Sequence, residues 1–101
     1  MAGIKIYFLS FEAIPLRAKA SQALYPNGLA RMWIQAKGPE EALLHAKAHL
    51  VEYGLSPRSL EQPPIETTAA DYAHRHVDLA NFRKAEDFGV ALHLEAHDSG
   101  L

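Results

Sequence analysis

The residues of this chain with the most evident chemical potential lie near its C-terminus, where His93-x-Glu95-x-His97 places two imidazoles and a carboxylate at alternate positions. On an extended strand that spacing brings all three to one side, each roughly 7 Å from the next. Such a set has the donor types to ligate a divalent ion or to relay a proton. A solvated strand face produces the same pattern, and no further ligand is marked by spacing, so no metal site is expected. His45 and His49, four apart, would share one face of a helix. Without a His-Glu-x-x-His frame or a third ligand they read as helix surface.

The run His74-Arg75-His76-Val77-Asp78 resembles in outline the His-x-His-x-Asp ligand set of metallohydrolases. A helix over these residues turns His74 and His76 apart, however, and leaves His76 on the apolar side as an expected core histidine. The chain has no Gly-rich phosphate loop, no Gly-x-Ser-x-Gly elbow and no nucleotide fingerprint, and none of its serines has a base placed by spacing. It has no cysteine, which excludes disulfides, thiolate metal sites, iron–sulfur clusters and a cysteine nucleophile. No catalytic residue and no cofactor is assigned, and the balance leans away from an enzyme.

The elements that must position these residues belong to one domain. A chain of 101 residues, 49% hydrophobic and 22% charged, has the size and balance of a single globular unit. That unit is assigned to residues 1–97, with a short tail at 98–101. The longest apolar run, Ile6 to Leu9, is far too short to span a bilayer, and the N-terminus lacks the apolar stretch of a signal peptide. A cytoplasmic protein with no membrane partner is therefore expected. Residues 1–50 hold six Lys/Arg against three Asp/Glu, and residues 51–101 hold four against nine. Oppositely signed halves suit a two-faced domain better than a surface built to neutralise phosphates, so nucleic acid is not an expected partner.

Ile4 to Phe11 and Leu29 to Lys37 are rich in β-branched and aromatic residues and predict two strands. Gly38-Pro39-Glu40-Glu41 starts a helix that ends at Gly54, with Leu43, Ala46, Leu50 and Tyr53 on one face and Leu44 and Val51 forming a second apolar patch. Ser59 to Glu66, interrupted by Pro63-Pro64, predicts a strand confined to a sheet edge. A second helix follows Thr67 or Thr68, its face including Ala69, Tyr72, Ala73, Val77 and Ala80, with a break near Asp78. Val90, Leu92, Leu94 and Ala96 alternate with Ala91, His93, Glu95 and His97 in a last strand. Residues 15–25 could hold a further short helix. The fold class is α+β: a four-stranded mixed or antiparallel sheet with two helices on one face, in ββαβαβ order. Its general appearance resembles the ferredoxin-like fold.

If Ile4, Ile6, Phe8, Met32, Ile34, Leu92 and Leu94 face both helices, the opposite sheet face gathers Tyr7, Leu9, Phe11, Arg31, Trp33, Gln35, His93 and Glu95. Large aromatics on neighbouring strands need a cover, and these eight residues are the candidate ligand- or partner-binding set. The expectation that follows is a small non-catalytic binding domain acting as a homodimer through this aromatic face or the Leu44/Val51 helix patch. The alternative is a small dimeric enzyme with a pocket for a small-molecule ligand between the sheet and residues 12–28. Single-stranded RNA stacked on Tyr7, Phe11 and Trp33 comes third, although Arg31-Met32-Trp33-Ile34 does not match an RNA-recognition signature.

Overall fold

A computed structural model describes residues 4–15 and 28–96. Strand β1 (Lys5–Pro15) pairs antiparallel with β2 (Gly28–Ala36); helix α1 (Pro39–Glu52) then leads to β3 (Leu55–Thr67), a short 3-10 helix (Ala69–Tyr72), α2 (His76–Phe88) and β4 (Val90–Ala96). The sheet order is β3-β1-β2-β4, and every neighbouring pair is antiparallel. The expected α+β class, four strands and ββαβαβ order are present. The proline-rich segment is an edge strand, as its missing donors require. The possible helix over residues 15–25 and the tail at 98–101 fall outside the described residues, apart from Pro15 at the end of β1.

The helices do not share one face. Tyr7, Leu9, Phe11, Met32 and Ile34 are buried against Ala42, Ala46 and Leu50 of α1. Ile6 and Trp33 are buried against Tyr72, Phe82 and Ala85 on the α2 side. Successive strand residues point to opposite faces, so α1 and α2 sandwich the sheet between them. The cause is the register of the first hairpin, which opposes Phe8 to Trp33 and Leu9 to Met32. Ile6 and Phe8 therefore join the face of Trp33, whereas Tyr7, Leu9 and Phe11 join that of Met32. A one-residue change in pairing would reverse this assignment. The element order remains compatible with a ferredoxin-like outline, from which the placement of α2 departs.

Within α1, Pro39 opens the first turn, Glu40 and Glu41 lie at its positive end, and the Lys37 amide donates to Glu41 Oε1 at 2.7 Å. Ala42, Ala46 and Leu50 form its buried stripe; Tyr53 lies outside it, its ring against His49 at 4.7 Å between centroids. Leu50→Ala is expected to cost about 2–5 kcal/mol, while His45→Ala, on an exposed position, should change stability by less than about 0.5 kcal/mol. Urea melts of the two variants check this, and equal shifts would place the wrong face inward.

The predicted second helix is broken as expected, but the break changes its face. The Thr68 amide donates to Asp71 Oδ2 at 2.7 Å, fixing the start of the 3-10 helix, and the chain turns through Ala73 and His74 before α2 begins. Tyr72 stays inward, whereas Ala73, Val77 and Ala80 are exposed and Asp78, Asn81, Phe82 and Ala85 are buried instead. His76 is likewise exposed rather than in the core. Gly89, at φ 90°, ends α2 in the left-handed conformation that glycine adopts without strain.

Candidate functional site

The structure divides the eight candidate residues between two layers. Tyr7, Leu9 and Phe11 are core beneath α1. Arg31, Trp33, Gln35, His93 and Glu95 lie on the α2 face, because β2 and β4 pair in a constant register that opposes Arg31 to His93 and Leu29 to Glu95. Trp33 is fully buried, with its ring centroid 5.1 Å from that of Phe8 and 6.2 Å from that of Tyr72. The cover that its aromatic surface required comes from α2 and the 3-10 helix. Gln35 reaches the end of α2, its Nε2 donating to the Glu86 carbonyl at 3.5 Å.

Arg31 is the centre of the polar residues on this face. Its Nη1 lies 2.9 Å from Asp78 Oδ1 and 3.4 Å from Glu95 Oε2, and its Cζ is 5.3 Å from the ring centroids of both Phe8 and Trp33. Arg75, at the start of α2, holds the other Asp78 oxygen at 2.8 Å. Asp78 is 4% exposed and sits in the first turn of α2, where a carboxylate complements the helix dipole. Both its oxygens are engaged by guanidinium groups, and Arg31 is shared between two carboxylates and stacked on two rings. This arrangement fastens the start of α2 to the sheet; it leaves neither Asp78 oxygen unpaired for acid–base work.

Among the described residues the histidines form no ligand set. His93 Nε2 is 3.7 Å from Glu95 Oε2, and His97 lies outside the described residues. Among the described residues no cluster of three His, Asp or Glu could hold a metal ion. His49 Nδ1 lies 3.9 Å from Glu52 on its own helix, and His45 is exposed beside it.

The remaining feature with functional chemistry is the outer edge of β4. The Gln35 amide donates to the Gly89 carbonyl at 2.9 Å, which makes that opposed pair a hydrogen-bonded one. In an antiparallel ladder such pairs alternate, so Ala91, His93 and Glu95 direct their backbone groups to β2. The N–H and C=O groups of Val90, Leu92 and Leu94 point the other way, out of the sheet edge. No strand among the described residues pairs with them. Leu94 is 51% exposed on the α1 face, and on α2 the exposed Val77 and Phe88 lie eleven residues apart on one flank. The opposite flank, with Leu79 and Glu86, is turned toward β1. Phe88, at the C-terminal end of α2, borders a hollow lined also by Ile34, Val90 and the α1 residues His45 and His49. Only the β4 side of this site was legible as an alternating strand; that the strand is terminal depends on the sheet order, which local periodicity does not encode.

The chain matches no family model, no curated protein and no solved structure. Among the described residues no helix is long and apolar enough to cross a membrane.

Proposed function

We propose that this chain is a small non-catalytic interaction domain that acts as a homodimer, and that its contact surface is the outer edge of β4. The observation that carries this reading is the contrast between the two sheet edges. Strand β3 holds Pro57, Pro63 and Pro64 and pairs with β1 through several register shifts, both of which discourage a further strand. Strand β4 has no proline, no lysine and a constant register. It offers a row of backbone donors and acceptors bordered by apolar side chains, the arrangement that binds an added strand. The self-association expected from the aromatic face is therefore reassigned to the β4 edge: α2 covers Trp33, and Leu94 of β4 is half-exposed. An RNA-stacking platform has less support, since the Trp33 ring is not presented to solvent.

Sedimentation velocity tests the reading. The wild-type protein is expected at dimer mass and Leu94→Pro at monomer mass, with the melting temperature nearly unchanged. The Leu94 amide points away from β2, so proline there removes no bond within the sheet. A monomeric wild type, or a dimeric Leu94→Pro variant that keeps its fold, would overturn it.

A further inference from the structure

We infer that residues 68–88, the 3-10 helix together with α2, form a cover that opens as one unit while the sheet and α1 stay folded. Opening uncovers Phe8, Trp33 and Arg31, which the closed form conceals.

The two layers of the core differ in what holds them. Among the described residues the α1 layer has eleven buried apolar members and the α2 layer six. The buried polar residues among them, Ser10, Asp78 and Asn81, all lie in the α2 layer: Ser10 opposes Arg31 on that face of the sheet, and the other two belong to α2 itself. Trp33 Nε1, a buried donor without a partner, lies there too. Burying polar groups offsets part of what apolar burial contributes, so this layer is the weaker of the two. Its polar ties to the sheet add little. Asn81 Nδ2 donates to the Val77 carbonyl of its own helix at 3.0 Å, not across the interface. Arg31 on Asp78 ties the start of α2, and Gln35 Nε2 reaches the Glu86 carbonyl near its end at 3.5 Å.

The segment holds together and lies between fixed ends. Tyr72 of the 3-10 helix and Phe82 of α2 have ring centroids 5.8 Å apart, so the two helices leave as one. Before the segment, Thr67 Oγ1 donates to the Ile6 carbonyl at 3.3 Å; after it, the Gly89 carbonyl accepts from the Gln35 amide at 2.9 Å. Gly89, at φ 90°, is the pivot between α2 and β4. Strand β4 keeps its place without α2, because its backbone pairs with β2 and its Val90 and Leu92 pack into the α1 layer. A unit with few buried apolar residues between anchored ends opens at a lower free energy than the whole molecule.

Native-state hydrogen exchange, read residue by residue, tests this. After correction for intrinsic rates, the wild-type amides of Phe82 and Ala85 are expected to exchange at least about tenfold faster than those of Leu9 and Ala46. Their rates should also rise less steeply with urea, since opening the cover exposes less surface than complete unfolding. The mild substitution Leu50→Val separates the two events. It weakens the α1 layer in the closed and opened forms alike, so it should accelerate Leu9 and Ala46 about fivefold and leave Phe82 and Ala85 within about twofold. One common rate and urea slope for all four amides, or equal acceleration of all four by Leu50→Val, would mean that α2 leaves only when the whole molecule unfolds and would overturn the inference.

Discussion

Replacing Trp33 with alanine is expected to lower stability by about 3–5 kcal/mol, the range for deleting a large aromatic from a core that cannot close around the space. Trp33 has no solvent exposure and joins three parts of the molecule: Phe8 on the neighbouring strand, Tyr72 on the 3-10 helix and the guanidinium of Arg31. Its indole Nε1 is buried without a hydrogen-bond partner. The ring is therefore held by packing, and Trp33→Phe, which keeps most of that packing and removes the unpaired donor, should lose less than half as much. Urea denaturation of both variants measures this. A small effect of Trp33→Ala on folding combined with loss of dimerisation would mean that the indole contributes to an interface instead.

Asp78→Ala should also be damaging, at about 3 kcal/mol, because it leaves the largely buried Arg31 guanidinium with only the more distant, half-exposed Glu95 carboxylate. The double substitution Arg31→Met/Asp78→Leu removes both charges and fills the space with apolar atoms. It is expected to recover most of the loss, since the pair's attraction is largely offset by the cost of taking both ions out of water. Denaturant melts of the single and double variants form the test. If the double variant is as unstable as Asp78→Ala, the polar arrangement with Arg75 and Glu95 contributes more than charge compensation.

The strands, the first helix and the edge position of the proline-rich segment were legible in the sequence because each rests on local chemistry. Alternation marks β4, Gly38-Pro39-Glu40-Glu41 marks the start of α1, and Pro63-Pro64 excludes a central strand. What local chemistry leaves open is how the faces combine. In β1 and β2 both faces are apolar, so Met32 and Ile34 could share a layer with either Ile6 and Phe8 or Tyr7 and Leu9. Only the hairpin register decides. The eight candidate residues were drawn from one assumed face and are divided by that register between two. Asp78 was not singled out as the partner of Arg31 because the turn at Ala73 and His74 resets the helical phase, leaving Asp78 inward where the earlier phase places Val77. The open edge of β4 depends on pairing across 68 residues of chain, from Gly28 to Ala96, and has no local signature.

That long pairing also sets the order in which the molecule can assemble. On a growing chain, β1, β2 and α1 can close one layer of the core, but the strand that completes the other side of β2 is made after all the other described elements. Until it arrives, the inner edge of β2 is unpaired and the Trp33 layer lacks Ala91. Distant pairings of this kind have a large closure entropy before any contact compensates for it, which places the domain among the slower folders for its size. The strand whose outer edge is unpaired among the described residues is the one whose arrival ends the interval in which the nascent sheet is exposed to mispairing.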